Sequence, residues 1–334
     1  MFARLSVACV AMACLAAVGC SAARLPVGVA DRPESVAACA RADDGVWCAR
    51  WVRGRFEAAT RWSADFGYAS AAPGSDDVLR TPDLDGDGLT DVCLRTAAGL
   101  ACALRVTPSS FGPALQSRAF ADVDGFGEWS AASTLAFVDV DGDGKLDACA
   151  RRGARLSCAH GRGDGRFDAA RVWLIDLFGD GEDPLRLATT RFGDVNGDGL
   201  VDVCVNGRAG VSCALSLGDQ FAMPSLWTAA FAHDEPSTDG AFELVDIDGD
   251  AALDICGVQD DDVRCAVVNG SRFFDANVRV STDGKQAVRF ADVDGDGRAD
   301  ICLFDGGGAR CSTASSGFPT PVPWDRKAAS AGEP

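Results

Sequence analysis

One cassette, D-x-[DN]-G-D-x-x-x-D-x-C-x8-C, is written five times along this chain, starting at Asp83, Asp139, Asp194, Asp246 and Asp292. A sixth cysteine pair of the same spacing, Cys39 and Cys48, stands ahead of them without the aspartates. Successive first cysteines lie 54, 56, 55, 52 and 46 residues apart. A period near fifty residues means that one supersecondary unit is repeated, and that each copy covers its apolar face with a neighbour. Such a chain is built to hold something on a repeated surface more readily than to run one reaction.

Within each unit the features keep one order. An apolar approach, with a phenylalanine two places ahead of the loop at Phe137, Phe192 and Phe290, leads into the aspartates. A short strand such as Leu200-Val201-Asp202-Val203-Cys204-Val205 follows, then a polar turn and a return strand with the second cysteine. A glycine-rich link and a Trp-bearing strand (Trp62, Trp173, Trp227, Trp324) close the unit. These are short β segments punctuated by Gly, Asp and Asn, and no helical period is sustained beyond the N-terminal signal. Four such strands make one small antiparallel sheet, and six sheets in series point to the blades of an all-β propeller. The propeller is expected over residues 24–326, with repeats near 24–82, 83–138, 139–193, 194–245, 246–291 and 292–326, and a solvated tail over 327–334. The last unit breaks off soon after Trp324, so a strand from Leu25 to Val36 is expected to complete the ring beside the last cassette.

In Asp292-Val293-Asp294-Gly295-Asp296-Gly297-Arg298-Ala299-Asp300, carboxylates stand at positions one, three, five and nine. They can converge on one ion only if the backbone coils tightly between them, and the glycines at four and six tolerate the positive φ this needs. Hard oxygen ligands in this number suit Ca2+ better than Mg2+ or zinc. The expected ligand sets are Asp83, Asp85, Asp87 and Asp91; Asp139, Asp141, Asp143 and Asp147; Asp194, Asn196, Asp198 and Asp202; Asp246, Asp248, Asp250 and Asp254; and Asp292, Asp294, Asp296 and Asp300. The competing reading, a solvated Asp-Gly turn, fits one loop better than five with the same ligand positions. Ala251 replaces the second glycine in the Asp246 loop, which is expected to be the weakest site. Asp122-Val123-Asp124-Gly125-Phe126 begins in the same way but has Phe at position five and is not counted. With a dissociation constant near ~0.1 mM and about 1 mM external Ca2+, each site adds roughly 1.4 kcal/mol of stability.

Twelve cysteines form six pairs nine residues apart: Cys39 and Cys48, Cys93 and Cys102, Cys149 and Cys158, Cys204 and Cys213, Cys256 and Cys265, Cys302 and Cys311. In a hairpin with a two-residue turn, residues nine apart face each other as a non-hydrogen-bonded pair, where the strands' side chains sit closest. That separation suits a cross-strand disulfide. Longer turns at Asp43-Asp44-Gly45 or Gly306-Gly307-Gly308 would change the register. Zinc at the cysteines needs tighter spacing or histidines, and the chain has only His160 and His233, both of which read as exposed polar residues.

The remaining cysteines, Cys9, Cys14 and Cys20, belong to an export signal over residues 1–20, with Arg4 at its positive start and an apolar run from Leu5 to Val18. That run is too short and too close to the terminus for a membrane span. Ala17-Val18-Gly19-Cys20-Ser21 resembles a bacterial lipobox, which implies lipidation at Cys20; ordinary cleavage near Ala22 or Ala23 is the alternative. Paired cysteines with none left over agree with an oxidising compartment. The net charge of -18 is the wrong sign for phosphate backbones or anionic lipid, so nucleic acid is not an expected partner and a membrane is one only through the lipid.

The loops, the preceding phenylalanine, and Phe192-Gly193-Asp194 closely resemble FG-GAP repeats, also known as VCBS repeats, which occur in integrin-α-type propellers and in many secreted bacterial proteins. The cysteine pair and the Trp strand, as in Leu226-Trp227, look like a bacterial subgroup of them. The resemblance covers roughly Cys39 to Trp324. It implies a propeller of six or seven blades with calcium held by the aspartates, and no shared enzymatic activity. Members more often bind proteins or glycans.

Three functions follow as expectations. The first is a calcium-stabilised, non-enzymatic recognition module on the cell surface, with an extracellular glycan or protein as partner. Repeated Trp residues at one phase fit inter-blade packing better than sugar stacking. Trp47 and Trp51 have no counterparts in other units and are the candidate contacts, with core packing as the alternative. The second is a structural envelope component. The third is a hydrolase or lyase with a loop-assembled site, for which the chain offers no H-E-x-x-H, G-x-S-x-G, P-loop or Rossmann pattern, and no catalytic residue is assigned.

Overall fold

The computed structural model describes residues 37–52, 55–67, 79–132, 134–175, 189–232, 242–282, 287–305 and 308–323. The export signal with Cys20, the closing strand expected from Leu25 to Val36, His233, Trp324 and the tail lie outside the described residues. By compactness the chain divides into two units, residues 1–175 and 176–334. Each contains three four-stranded antiparallel sheets.

The fold class is the all-β propeller with six blades. A typical blade is a simple meander. In the third, Ala136–Val138, Asp147–Arg152, Arg155–Ala159 and Arg171–Leu174 pair in chain order. The aspartate loop joins the first two strands, so each sheet starts a few residues ahead of the cassette. The first blade departs from this plan, because Gly45–Val52 pairs with Ala37–Ala42 and then with both Arg55–Phe56 and Thr60–Ser63.

The cysteine hairpin of every blade has one register. Cys39 faces Cys48, Cys93 faces Cys102, and the other four pairs do the same. All six are disulfides, with Cα atoms 4.1 Å apart, the close spacing of a non-hydrogen-bonded pair. Asp43-Asp44 closes the first hairpin, since Ala42 pairs with Gly45. Asp305 likewise pairs with Gly308 in the last. Both hairpins therefore have two-residue turns and keep the common register. In the fifth blade the turn residues Asp260 and Asp261 both take positive φ, 51° and 64°, the backbone that matches the twist of the flanking strands.

Among the described residues, two apolar clusters lie in each unit. In the first, Val46, Trp62 and Phe66 of blade one pack with Val92, Leu94 and Phe111 of blade two, and blade two packs on blade three through Leu100, Phe120 and Phe167. In the second, Trp227 and Phe231 of blade four meet Ile255 and Phe273 of blade five, and Val263 and Val280 meet Ile301 and Leu303 of blade six. Trp62, Trp173 and Trp227 are all buried, and their rings lie 5.4 Å from Phe111, 5.6 Å from His160 and 5.3 Å from Phe273. These repeated tryptophans are packing residues. A polar clamp recurs beside them: Arg41 Nε donates to Phe66 O at 2.6 Å, Arg95 Nε to Phe120 O at 3.2 Å, and Asn206 Nδ2 to Phe231 O at 2.9 Å. Phe120 and Phe231 hold left-handed backbones, φ 62° and 64°, and the clamp satisfies the carbonyls that this turn directs inward.

Candidate functional site

The five aspartate loops have one hydrogen-bond plan. In the Asp194 loop, Asp194 Oδ1 accepts from Gly197 N at 2.7 Å and Oδ2 from Gly199 N at 2.9 Å. Asn196 Oδ1 accepts from Asp198 N at 3.0 Å, and Asp198 Oδ1 from Leu200 N at 2.9 Å. The same contacts recur in the Asp83, Asp139, Asp246 and Asp292 loops. Position one thus ties down the N–H groups of positions four and six, and the glycines there coil the chain at φ 74° and 89°. Ala251 adopts φ 73° at the sixth position and still donates to Asp246 Oδ2 at 3.0 Å. The Asp246 loop keeps the plan in spite of the missing glycine, at the cost of left-handed backbone on an alanine.

The ninth aspartate has a different place. Asp91, Asp147, Asp202, Asp254 and Asp300 are 0–1% exposed. Asp202 Oδ2 accepts from Val195 N at 3.0 Å and Oδ1 from Ser216 N at 2.7 Å, and the other four make the same two contacts. The carboxylate therefore fastens the loop to the strand that follows the second cysteine. Burial pushes Asp91 and Asp254 up to about 7 and Asp147 and Asp202 to about 6, and raises Asp300 as well. These are carboxylates whose ionised form is poorly solvated, the condition under which a nearby cation stabilises most.

The donor set fits calcium. One oxygen each from Asp83, Asp85 and Asp91 lies within 4.8 Å of the others, and so do sets from Asp139, Asp141 and Asp143, from Asp246, Asp248 and Asp250, and from Asp292, Asp294 and Asp300. That span is about twice a Ca2+–O bond of ~2.4 Å, the largest separation of two ligands on one ion. In the Asp194 loop Asn196 supplies an amide in place of a carboxylate, and its Nδ2 donates to Asp198 Oδ2 at 2.9 Å.

The loops differ in what leans on them. Lys145 Nζ lies 2.5 Å from Asp143 Oδ2, and Arg298 Nη2 2.6 Å from Asp296 Oδ2. The Lys145 hydrogen bond lowers the Asp143 carboxyl, and the Arg298 backbone N–H followed by its side chain lowers Asp296. Ser315 Oγ donates to Asp294 Oδ2 at 2.6 Å. His160 is no free polar residue of the link: its Nδ1 stands 2.8 Å from Asp141 Oδ2. Its sequence neighbours gave no sign of this, because the contact depends on the strand returning past the loop. Asp122 pairs with the buried Arg95, and Phe126 is buried; this near-copy of the loop is an exposed turn anchored to the core through those two side chains.

Trp47 is 37% exposed. Its Nε1 donates to Asp44 Oδ1 at 2.8 Å, and Arg61, its cross-strand partner, reaches Asp44 Oδ2 at 3.2 Å. The Trp47 hydrogen bond is the largest cause lowering the Asp44 carboxyl. At the same place the other blades have Ala101, Ser157, Ser212, Arg264 and Arg310. Trp51 pairs with Phe56 on the same hairpin; its side chain lies outside the described residues.

The family model described as FG-GAP-like repeat matches residues 139–205, which hold the Asp139 and Asp194 loops. The chain carries an FG-GAP-like repeat. No curated protein matches its sequence. Among solved structures, an Agrocybe aegerita lectin described as specifically recognising non-reducing terminal N-acetylglucosamine superposes on this chain with TM-score 0.72 at 22% identity, over 86% of this chain and 75% of that one. The Photorhabdus luminescens Tc holotoxin pore gives TM-score 0.52 at 20% identity, over 88% of this chain but 14% of the toxin chain. At such identities the likeness concerns the fold. The six disulfides are of the kind found in oxidising, extracellular environments, and no helix among the described residues is long and apolar enough to cross a membrane.

Proposed function

We propose that this chain is a non-enzymatic recognition module of the cell exterior, a single propeller over residues 24–326 whose five FG-GAP-like loops hold Ca2+ and whose partner is a glycan or protein. The observation that carries the reading is the likeness of the fold, over most of both chains, to a lectin that recognises terminal N-acetylglucosamine. Trp47 supports it, as an exposed aromatic fixed by Asp44 beside a guanidinium, the combination of apolar face and planar polar groups that a sugar ring or a protein hot spot uses. Calcium at positions one, three, five and nine of each loop neutralises the clustered carboxylates and stiffens the blade ends. The signal over residues 1–20 exports the chain, and lipid on Cys20 anchors it at the envelope.

A glycan-array screen of the mature domain, in millimolar calcium and again after chelation, tests the proposal. Binding to one glycan class that Trp47→Ala abolishes supports it. A blank array from folded protein excludes the glycan and leaves a protein partner or a structural envelope role.

A further inference from the structure

Two residues beyond the second cysteine, the other loop-bearing blades have Leu104, Leu215, Val267 and Thr313; the third blade has His160. In the third blade this side chain reaches the loop. His160 Nδ1 is 2.8 Å from Asp141 Oδ2 and 3.7 Å from Asp147 Oδ1, and one ligand atom from each of the three residues lies within 4.8 Å of the others. We propose that Asp141, Asp147 and His160 form a mixed nitrogen and oxygen site for a borderline divalent transition ion of the Zn2+ or Co2+ kind, in a loop whose four counterparts offer oxygen alone.

Two arguments carry this. An ion with bonds of about 2.0–2.1 Å in tetrahedral geometry has ligand-to-ligand edges of ~3.3 Å, which the two Nδ1 distances bracket. Imidazole is a poor partner for Ca2+ and a good one for zinc and its neighbours. The site is also held in place. Asp147 is 1% exposed and its oxygens are fixed by Gly161 N at 2.7 Å and Val140 N at 3.3 Å, while the His160 ring rests 5.6 Å from the buried Trp173. Arg171 Nη2 donates to His160 Nε2 at 3.0 Å, so in the ion-free arrangement Nδ1 carries the proton and donates it to Asp141. Ligation replaces that proton with the ion. The ring then carries its proton at Nε2, and Arg171 moves off that atom. Asp141 and Asp147 belong also to the calcium set of this loop, so the two ions compete there. The inference stands on His160 and does not require calcium at the other loops.

The chain has two histidines, so the imidazole 15N resonances of the full protein can be followed one by one. On adding Zn2+ in calcium-free buffer, the His160 ring should change to an Nδ1-bound, Nε2–H pattern at one equivalent. His160→Leu, which installs the residue of blades two and four, should weaken that binding by at least ~100-fold and leave the circular dichroism and the calcium stoichiometry unchanged. A His160 ring that keeps its Nε2 acceptor through excess Zn2+ overturns the proposal whether or not the variant folds, and so does equal Zn2+ affinity in the two proteins. Calcium binding without zinc binding removes this inference alone and leaves the loop reading intact.

Discussion

Removing one blade's disulfide gives the sharpest test of how these small sheets are held. Take Cys204→Ala with Cys213→Ala. The bridge closes a loop of ten residues, for which the chain-entropy argument gives about 2.7 kcal/mol at 25 °C. Both cysteines are buried, at 0% and 1% exposure. Losing each sulfur, taken as a buried methylene, costs a further ~0.8 kcal/mol. The sum is about 4 kcal/mol. At roughly 2–4 °C per kcal/mol for a cooperative unit of this size, the melting temperature should fall by about 8–16 °C. All six bridges have the same sequence separation and the same 4.1 Å Cα spacing, so the entropic part should be equal in every blade. Cys39 is only half-buried, which makes its pair the least costly to remove. Thermal melts of the six double variants in one calcium buffer provide the assay. A fall under ~3 °C at Cys204 and Cys213, or a scatter that ignores burial, would refute the reasoning.

Three more outcomes follow from the same geometry. Ala251→Gly removes left-handed backbone from an alanine, a strain of ~1 kcal/mol, and should raise the calcium affinity of the Asp246 loop and lift the melting temperature by a few degrees, whereas Gly199→Ala should lower the affinity of the Asp194 loop and the melting temperature; calorimetry on the two variants checks this. In chelator, Asp91, Asp147, Asp202 and Asp254 have folded pKa values of about 6 to 7, above the ordinary 3.8, and burial raises Asp300 in the same direction. The folded protein then binds more protons than the unfolded one between these values, so stability is greatest at the acid end of the window and is lost as pH rises through about 6–7. Melting temperature should therefore rise from pH 7.5 to about 5.5 without calcium, and fall over the same range with calcium bound, where protons compete with the ion. Trp227→Ala should cost about 3–5 kcal/mol by emptying a core site, while Trp47→Ala should leave the melt nearly unchanged and remove partner binding; a large loss of stability at Trp47 would reassign it to the core.

The architecture was legible because both motifs recur with fixed spacing. Cysteines nine residues apart suit a hairpin with a two-residue turn, and the structure has it even at Asp43-Asp44 and before Gly308, where longer turns were open. The burial of Trp62, Trp173 and Trp227 also followed from their common phase. What sequence spacing could not give is what depends on the strand that returns past each loop. The ninth aspartate read as one more ligand, yet it also spans two backbone N–H groups fourteen and seven residues away, a role visible only when the hairpin is closed. His160 read as a link residue for the same reason. Its one available signal was a polar ring at a place where blades two, four and five have Leu or Val. The Arg41, Arg95 and Asn206 clamp had a signal too, a polar side chain two residues after the first cysteine, on the face that strand alternation shares with the cysteine.

Counting bound ions by native mass spectrometry, with a melt of the same sample before and after chelation, tests the loop account most directly. The account predicts five Ca2+ per chain and a melting temperature that drops by several degrees when they are stripped. A protein that carries no calcium at millimolar concentration, and melts identically in chelator, would contradict it.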